Sequence, residues 1–410
     1  MNIWVIAIGE PLPISGNNDR LHRCGLLNKI LAEKGHEVVW WSSTFNHFSK
    51  QHIFNENTII QINSNLELQL LNGRAYNKNI SFARIRNHIE ISKQFKEVAS
   101  KYNVPDKIFC AFPAIELAYE ATIYAKKNEV PFIIDARDMW PDIFLNASPP
   151  FFRPFIKIFL AKYYSMTSYI FSNANIITGI TDGFVDWAIT YTDRNRSSND
   201  KAFYLGYPSD DFEDKLILEA WDSWEKMGIS KNDFIISYVG ALTENKIDID
   251  IIFNVAESLI VNKNIKFVLA GEGDQKEKYK AIIKQRSLQN IILPGWINKY
   301  QIRSLLQNSS FGLVPLRDRK DYIISIPNKP IEYLANSLPI ISYLPGELKK
   351  LIEKESIGFI YKDESDFINI INNIEDNDLN IMKKRCRALY KRKFDSRLVY
   401  NQFADFIEKV

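Results

Sequence analysis

The sequence predicts an α/β fold with two doubly wound parallel sheets, and three observations carry this prediction. Short β-branched apolar runs alternate with longer helical patterns, as they do in parallel sheets that helices cover on both faces. The alternation begins again after a polar stretch that ends near residue 206. A length of 410 residues fits about two domains of ordinary size.

The first half holds a series of apolar runs that we predict to be buried strands. In chain order they cover residues 3–8, 37–42, 107–111, 131–136 and 175–180. Helical patterns lie between them, at residues 21–34, 80–101 and 114–127. This strand–helix order predicts a Rossmann-like domain over residues 1–206.

The second half repeats the pattern. Its predicted strands cover residues 234–242, 265–271, 290–295, 310–316 and 338–344, and its predicted helices cover 249–261, 276–286, 300–307 and 330–336. They predict a second Rossmann-like domain over residues 207–393, with residues 394–410 as a C-terminal helix that packs back on the first domain. Ligands of such sheets sit at the carboxyl ends of the strands, so we expect the site in a central cleft between the domains.

Composition excludes several classes of protein. The net charge is only +3, far from that of a dedicated nucleic-acid binder. The three cysteines are far apart in the sequence, which favours a reducing compartment. The opening residues, MNIWVIAIGE, lack the basic region and cleavage site of a signal peptide, and no apolar run reaches about 18 residues. We therefore expect a cytoplasmic protein.

Two loops that follow predicted strands suit phosphate groups. A polar loop with Gly16 and Asn17 precedes a helix, so that backbone N–H groups and a helix N-terminus are available to an anion. In the second half, Gly240 permits close backbone approach and Lys246 adds a cation, a combination that suits a pyrophosphate. Either loop could equally be an ordinary strand–helix turn.

Two further loops in the second half bear on the ligand. GEGDQKEK (residues 271–278), which contains Glu272, matches only half of a dinucleotide fingerprint, so a nicotinamide cofactor is not supported. PGWIN (residues 294–298) forms an apolar turn whose backbone could hold a flat base, and structural packing of Trp296 is the alternative.

Charged and aromatic residues follow a predicted strand in DARDMWPD (residues 135–142). Arg137 and Asp138 stand at the carboxyl end of that strand, where side chains serve recognition or catalysis. The alternative is an Arg–Asp ion pair that braces the loop.

The stretch SIPNKPIEYLANSLPIIS (residues 325–342) places a lysine and a carboxylate on one turn of a short helix. Pro327 rigidifies the preceding loop, and Pro330 suits a first helical turn, where its missing N–H is not needed. Lys329 and Glu332 would then face a ligand at the mouth of the next strand. The alternative is a surface helix with a chance glutamate.

Other catalytic motifs are missing from the sequence. The five histidines show no HExxH spacing, and neither a G-x-S-x-G elbow nor a Walker loop occurs. We therefore predict no zinc site, no hydrolase-type nucleophile and no ATP hydrolysis.

Taken in order, several of these segments resemble the retaining, nucleotide-sugar-dependent glycosyltransferases of family 4, which have the GT-B fold. The segments are GNNDRLHRCGLLNKILAEKGHEVVWWSS, RDMWPD, YVGALTENK, IKFVLAGEGD, NIILPGWI, FGLVPL and PNKPIEYLANSLPIIS. The RDMWPD and PNKPIEYLA segments resemble the branch that builds bacterial O-antigen and capsule units, including N-acetylfucosamine-type transferases.

The resemblance implies roles for individual residues in the first domain and in its acceptor loop. Gly16 and Asn17 match the glycine loop that approaches the donor phosphates. Arg137 and Asp138 match the loop that faces the transferred sugar.

In the second domain, Gly240 and Lys246 match the phosphate loop, and Ile297 matches the position whose backbone holds the base. Glu332 matches the glutamate that accepts hydrogen bonds from the ribose. Glu272 and Trp296 are assigned to the donor pocket with them.

Two positions depart from the family pattern. Ala241 replaces the arginine that usually follows the phosphate-loop glycine, and Ile324 replaces the first of two glutamates spaced eight residues apart. We expect Asn328 and Lys329 to face the sugar and phosphates instead, with the cation of Lys329 offsetting the lost arginine. These departures bear on the identity of the donor more than on the reaction class.

The resemblance implies transfer of a sugar, with retention, from a nucleotide-sugar, with UDP the expected nucleotide. No Asp-x-Asp motif stands at a strand end, so we predict activity without a metal and without a cofactor. Two other classes stay open: an epimerase-like or donor-binding GT-B protein that transfers nothing to an acceptor, and a scaffold subunit with a degenerate site.

The expected acceptor is a glycan, lipid-linked at the inner face of a bacterial membrane. Residues 149–171 place aromatic side chains along one helical face with cations beside it, which suits an interfacial helix and equally a helix that covers a sheet. Residues 383–393 hold seven basic side chains in eleven positions, which form either a solvated face or a contact with anionic lipid. No nucleic-acid partner is expected.

Overall fold

The computed structural model describes residues 1–14, 20–79, 81–146, 148–208, 212–262 and 264–410. The chain forms two compact units, one from Met1–Tyr204 with Val399–Val410 and one from Leu205–Leu398. Residues 394–398, which the sequence analysis assigned to the C-terminal segment, group with the second unit. The reason is a pair of backbone hydrogen bonds, from Tyr207 to Phe394 (2.9 Å) and from Ser396 to Tyr207 (3.1 Å).

Strands and helices alternate through most of the first unit. Its strands are β1 (Asn2–Ile6), β2 (Glu37–Ser43), β3 (Phe45–Asn46), β4 (Gln51–His52), β5 (Thr58–Asn63), β6 (Leu66–Leu71), β7 (Lys107–Phe112), β8 (Phe132–Ala136), β9 (Ile176–Gly179) and β10 (Lys201–Ala202). Its helices are α1 (Arg23–Glu33), α2 (Phe82–Ala99), α3 (Ile115–Lys127), α4 (Asp142–Asn146), α5 (Arg153–Phe159), α6 (Ala161–Asn173) and α7 (Asp182–Ile189).

The main sheet of the first unit has eight strands in the order β10-β9-β8-β7-β1-β2-β6-β5. Its pairs are parallel except for β5 with β6, an antiparallel hairpin at the edge that the sequence analysis did not predict. The strand order reverses at β1, which lies between β2 and β7. In sheets of this kind, the reversal opens a crevice at the carboxyl ends of the strands.

The second unit continues the alternation with a smaller sheet. Its elements are α8 (Asp214–Lys226), β11 (Phe234–Val239), α9 (Asp250–Ser258), β12 (Ile265–Ala270), α10 (Lys276–Gln285), β13 (Ile291–Gly295), α11 (Lys299–Asn308), β14 (Phe311–Val314), α12 (Lys320–Ile323), α13 (Asn328–Ala335), β15 (Ile340–Ser342), α14 (Glu347–Glu355), β16 (Gly358–Ile360), α15 (Glu364–Asn373) and α16 (Asp376–Leu389). The strands pair in parallel in the order β13-β12-β11-β14-β15-β16, so the order reverses between β11 and β14.

The last helix, α17 (Ser396–Lys409), returns to the first unit. Phe403 stacks on Phe203 at 4.1 Å between ring centroids and meets the ring of Phe109 edge-on at 5.4 Å. The ammonium of Lys107 donates to the carbonyls of Ile407 (2.7 Å) and Glu408 (2.9 Å) and so satisfies the end of the helix. The helix therefore closes one face of the core of the first unit.

The aromatic segment of residues 149–171 is not one helix, because α5 ends at Phe159 and α6 begins at Ala161. Helix α6 packs inward, with Ile170 and Phe171 buried. Helix α5 buries no side chain, and Phe155 and Ile158 are 70% and 75% exposed. The packing interpretation therefore holds for α6, and the interfacial interpretation stays a prediction, now confined to α5.

Among the described residues, no helix has both the length and the apolar character needed to cross a bilayer.

Candidate active site

In the second unit, the loops after β11 and β14 meet at the point where the strand order reverses. Ile247 forms a β-bridge with Leu316, which ties the two loops together. Because both loops leave the carboxyl ends of adjacent strands, they lie where parallel α/β sheets bind their ligands. This edge of the sheet is the candidate donor site.

The loop that carries Lys246 is held by its backbone. Arg317 donates from its backbone N–H to the carbonyl of Lys246 (2.9 Å) and from Nε to the carbonyl of Glu244 (2.6 Å). Arg319 donates from Nη1 to the carbonyl of Asn245 (3.1 Å). The Lys246 side chain is exposed and has no hydrogen-bond or ion-pair partner among the described residues. The loop is thus fixed while its ammonium is available to an anion.

Helix α13 is fixed against β14 by Tyr333. The hydroxyl of Tyr333 donates to the carbonyl of Leu313 (3.1 Å), and its ring lies where a Cβ at Gly312 would approach within 2.4 Å. Glycine at 312 is therefore required for this close packing. The packing sets the position of the helix turn that carries Lys329 and Glu332.

Glu332 is 7% exposed, and each of its carboxylate oxygens accepts one hydrogen bond. Oε1 accepts from the hydroxyl of Tyr207 (2.9 Å), and Oε2 accepts from the ammonium of Lys329 (2.6 Å). A carboxylate has about four lone-pair positions, so it can accept further donors such as ribose hydroxyls. Asn328, the first residue of α13, is exposed.

Around β13, the turn Gly295–Ile297 exposes an indole. Trp296 is 75% exposed, so its ring is not packed in the core, whereas the side chain of Ile297 is buried. Glu272 accepts from the backbone N–H of Trp296 (3.1 Å) and from Lys276 (2.6 Å). The hydrogen bond and charge of Lys276 lower the pKa of Glu272. This pairing holds the turn in place.

The glycines of residues 271–273 have a packing role. A Cβ at Gly271 would lie 1.8 Å from the carbonyl oxygen of Gly240, and one at Gly273 would lie 2.1 Å from that of Leu242. Because no side chain fits in these gaps, glycine lets the loops after β11 and β12 touch backbone to backbone. This close contact accounts for the partial likeness to a dinucleotide fingerprint.

In the first unit, Arg137 lies in a buried ion network at the carboxyl end of β8. Its Nε donates to Asp135 Oδ2 (2.7 Å), and its Nη1 pairs with Glu10. Arg23 binds both oxygens of Asp135, from Nε and Nη2, each at 2.8 Å. Arg137 therefore pairs with Asp135 and Glu10 on neighbouring segments, and it braces the loop that follows β8.

The network is strongly charged. Burial alone would raise the pKa of Asp135, but the charges of Arg23 and Arg137 lower it to about 2. Asp135 is therefore ionised throughout the neutral range. Glu10 Oε2 also accepts from the backbone N–H groups of Cys24 (2.9 Å) and Gly25 (3.3 Å), in the first turn of α1, where a negative charge is favoured.

Three predicted residues and the prediction on metals remain. Asp138 is half-buried beside the network, where its Oδ1 accepts from the backbone N–H of Met139 (2.8 Å). Gly16 and Asn17 lie outside the described residues. Within the described ranges, no group of three His, Cys, Asp or Glu side chains is placed to hold a metal ion. Activity without a metal stays a prediction.

Sequence reasoning missed several residues of these two sites, namely Glu10, Arg23, Tyr207, Arg317 and Arg319. The two arginines of LRDRK (residues 316–320) follow β14 directly, so the rule that singled out Arg137 would have found them. Tyr207 is brought to Glu332 by tertiary structure alone, since its backbone is held by Phe394 and by the hydroxyl of Tyr390 (2.8 Å).

The two α/β units with parallel sheets define the class of fold, and comparison with solved structures identifies it as GT-B. A sucrose-phosphate synthase from Thermosynechococcus elongatus is similar with a TM-score of 0.73 at 14% identity, covering 100% of this chain and 98% of that one. Anabaena HepE in complex with UDP-glucose is similar with a TM-score of 0.64 at 14% identity, covering 100% of both chains. The lipopolysaccharide glycosyltransferase WaaG is similar with a TM-score of 0.62 at 11% identity, covering 99% of both. The predicted GT-B fold class is confirmed.

The second unit carries a more specific likeness. Residues 233–377 match the family model described as "Glycosyl transferases group 1".

Two curated relatives match part of the chain. A chitobiosyldiphosphodolichol beta-mannosyltransferase of Dictyostelium discoideum is 26% identical over 119 residues, which cover 29% of this chain and 24% of that protein. An uncharacterized glycosyltransferase of Methanocaldococcus jannaschii is 28% identical over 131 residues, covering 32% and 31%. The chain thus matches less than a third of the length of these curated relatives.

Proposed function

We propose that this chain is a retaining glycosyltransferase that moves a sugar from a UDP-linked donor to a lipid-linked glycan acceptor. The observation that carries the proposal is the Lys329–Glu332–Tyr207 arrangement on and beside α13. It stands at the reversal of strand order, and its Lys329 and Glu332 lie within the segment that matches the glycosyl transferases group 1 model, whereas Tyr207 precedes that segment. A buried carboxylate with unused acceptor positions, next to a cation, suits a ribose joined to a diphosphate.

In the proposed mechanism, the second unit holds the donor. Glu332 accepts from the ribose hydroxyls, the backbone near Ile297 holds the base, and Asn328 faces the sugar. Lys246 and Lys329 stabilise the negative charge that develops on the departing diphosphate. These contacts need no metal ion. They stabilise the transition state most, because the negative charge on the diphosphate develops as the glycosidic bond breaks.

Retention requires the acceptor to attack from the face that the diphosphate leaves. The first unit presents the acceptor beside Asp138, on the loop that Arg137 braces, and the leaving phosphate takes the proton of the acceptor hydroxyl. Catalysis then consists of positioning and charge stabilisation, which together can supply most of the rate enhancement.

The identity of the donor and the pathway rests on similar proteins. Anabaena HepE is described in complexes with UDP and with UDP-glucose, which supports a UDP-linked donor here. WaaG is described as involved in lipopolysaccharide biosynthesis, which supports a role in bacterial surface polysaccharide such as O-antigen or capsule. We propose the cytoplasmic side of the cell membrane as the place of action.

Helix α5 supports contact with that membrane. Phe155, Ile158 and Phe159 are exposed there, and so are Phe151 and Phe152 just before the helix. Exposed apolar surface of this kind marks an interaction site, and flanking cations such as Arg153 and Lys157 favour anionic lipid. The basic run 383–393 contributes less, because Arg387 donates to Ala335 (3.0 Å) and Arg392 pairs with Glu355.

A thermal-shift screen with UDP-, GDP-, TDP- and CMP-sugars, without added metal, tests the donor site. We expect UDP-sugars alone to raise the unfolding midpoint, with a stabilisation of about 3 kcal/mol at a hundredfold excess over the dissociation constant. Glu332→Gln should abolish the shift. The matched control is Glu347→Gln, which breaks an exposed Lys–Glu pair of similar geometry on α14 (2.8 Å) and should leave the shift intact.

A shift that survives Glu332→Gln would remove Glu332 from the site. UDP binding without transfer to any acceptor would favour a donor-binding protein instead. The half-buried Ile324, at the position of the family's first glutamate, would then be the first residue to restore to glutamate.

Vesicle co-sedimentation tests the membrane contact. Phe155→Ser with Ile158→Ser should lower binding to phosphatidylglycerol vesicles at least about tenfold, since each inserted side chain contributes about 1.5–3 kcal/mol. The control pair Leu218→Ser and Val261→Ser removes equally exposed apolar side chains from the second unit and should not lower binding. An equal loss of vesicle binding in both double variants would mean that any exposed apolar side chain contributes, and it would contradict a specific role of α5.

A further inference from the structure

A group of basic side chains surrounds Tyr76 in the first unit. The ammonium of Lys50 lies 5.0 Å from the centre of the Tyr76 ring, and the guanidinium carbon of Arg84 lies 5.9 Å from it. His47 Nδ1 is hydrogen-bonded to the Tyr76 hydroxyl at 2.6 Å. These three basic residues belong to the loop between β3 and β4 and to the first turn of α2, at the end of the sheet where β2 and β6 finish. We call Lys50, Arg84 and His47 the basic cluster.

The cations of the basic cluster are held in place by uncharged groups. Lys50 donates to the side-chain oxygen of Asn79 (2.5 Å), and Arg84 donates to the backbone carbonyl of the same residue (2.8 Å). Arg84 also lies over the ring of Trp140, 4.9 Å from its centre. Among the described residues, neither Lys50 nor Arg84 makes an ion pair with a carboxylate.

Other charged side chains near the basic cluster do have partners of opposite charge or hydrogen-bond partners. Arg74 lies in the loop between β6 and α2, which also carries Tyr76. It donates to Glu90 from its backbone N–H (2.7 Å) and from its Nε (2.7 Å). The nearby buried carboxylate, Glu116, faces His88 at 3.6 Å and accepts from Tyr163 (3.1 Å). Glu90 and Glu116 therefore already have partners, and Arg84, which donates from Nε to His88 Nε2 (3.5 Å), reaches Glu116 only through that imidazole.

The cluster is under mutual repulsion. Burial is the largest cause that lowers the pKa of His47, and the neighbouring Lys50, Arg84 and His88 act in the same direction; together they lower it to about 4. Burial and Arg84 also lower the pKa of Lys50. An anion bound between these groups would relieve the repulsion and satisfy the donors.

The basic cluster and the apolar surface of α5 both reach the first turn of α2. Phe82 lies in the same turn of α2 as Arg84, is exposed, and meets the ring of Phe159 edge-on at 6.4 Å. An anion seated on Lys50 and Arg84 would thus lie at the same end of α2 as the surface that we propose to enter the membrane. A diphosphate that joins a lipid tail to a glycan has this arrangement of apolar and anionic parts.

We propose that Lys50, Arg84 and His47 bind the diphosphate of a lipid-linked acceptor, with the lipid tail leaving past Phe82 and Phe159. The inference rests on the proposed function, because it specifies the acceptor of that reaction. The same chemistry could come from phospholipid head groups, so the experiment separates the two sources.

Isothermal titration calorimetry with farnesyl diphosphate, in the presence of saturating UDP, tests the proposal on the full chain. The variant Lys50→Gln with Arg84→Gln should weaken binding at least about tenfold, because two charge-assisted contacts are lost. The matched control is Arg86→Gln with Lys93→Gln, which removes the same charge from exposed positions of the same helix. Its affinity should stay within about twofold of wild type.

A second readout needs no variant at the cluster. An NMR titration of the wild-type histidine resonances should show the pKa of His47 rising from about 4 when farnesyl diphosphate binds, since a nearby anion favours the protonated ring. Lys50, Arg84, His88 and Tyr76 face that ring and are unchanged in this experiment.

Three results would overturn the proposal. Wild-type protein that does not bind farnesyl diphosphate excludes the site. Equal affinity in the cluster variant and the control assigns the binding elsewhere. A cluster variant that no longer binds phosphatidylglycerol vesicles but still binds farnesyl diphosphate would assign the cluster to phospholipid head groups. UDP binding, measured separately by thermal shift, tests the donor site in the second unit and so distinguishes failure of the proposed function from failure of this subsite.

Discussion

Two buried carboxylates, Asp135 in the first unit and Glu332 in the second, bind their partners in different ways. Asp135 is fully buried and meets two arginines and the hydroxyl of Thr178 (2.8 Å). Glu332 meets one tyrosine and one lysine, and 36% of that lysine side chain is exposed. Removing a partner from a carboxylate enclosed by fixed charges leaves a buried charge unpaired, whereas a partly exposed partner such as Lys329 can be exchanged for a ligand. The two should therefore differ in what they contribute to stability and to binding.

The largest expected effect is on stability, from Asp135→Asn. The substitution leaves the buried charge of Arg23 without its counter-ion and turns an amide N–H toward it, so the free energy of unfolding should fall by about 3–5 kcal/mol. Denaturant unfolding measures this loss.

The control for that variant is Asp186→Asn, which removes an exposed partner of Arg196 (2.8 Å) and should cost less than about 1 kcal/mol. A loss at Asp135 as small as that at Asp186 would mean that the network around Asp135 is open to water, and the contrast with Glu332 would disappear.

Acid should reveal the same network in the wild-type protein. The folded-state pKa of Asp135 is lowered from 3.8 to about 2, so its stabilisation is present above about pH 4 and is lost as the pH falls toward 2. A shift of this size corresponds to about 2–3 kcal/mol.

The measurement is the difference in unfolding free energy between wild type and Asp135→Asn at a series of pH values. This difference cancels other acid-sensitive groups, such as Asp200, whose pKa is also lowered to about 2 despite its burial, by Arg194 and by backbone N–H groups. A difference that stays constant from pH 5 to 2 would contradict the assignment to Asp135.

The sequence predicted most of the parallel strands of both sheets, though not β6 or β16, because their patterns are local. Buried parallel strands are short apolar runs, and each can be read without knowing its neighbours. The hairpin of β5 and β6 was missed because polar residues interrupt its apolar ones, so that they do not form such a run. The break at Leu160 was missed because a continuous aromatic stripe suggested one helix where the chain forms two.

The partners of the site residues were beyond sequence reasoning for a physical reason. Arg137 was singled out at the end of a strand, but its partner Glu10 is 127 residues away, and Arg23 is 112 residues from Asp135. Long-range pairs of this kind depend on strand order, which a single sequence does not reveal. Lys329 and Glu332 were easier, because residues three apart on a helix are neighbours whatever the rest of the chain does.

The smallest expected effect sharpens the Glu332 side of the comparison. Tyr207→Phe removes one of the two hydrogen bonds that Glu332 accepts and should lower the free energy of unfolding by about 1 kcal/mol. It should also weaken UDP binding by less than Glu332→Gln does, because the carboxylate itself stays in place.

The control is Tyr164→Phe, which breaks a tyrosine–carboxylate hydrogen bond of the same length (2.9 Å) to Asp142 in the first unit. Calorimetry with UDP should show a loss for Tyr207→Phe and none for Tyr164→Phe, even though both variants lose similar stability. If UDP binding instead tightens in Tyr207→Phe, the tyrosine competes with the ribose for Glu332, and its hydroxyl is what the ligand displaces.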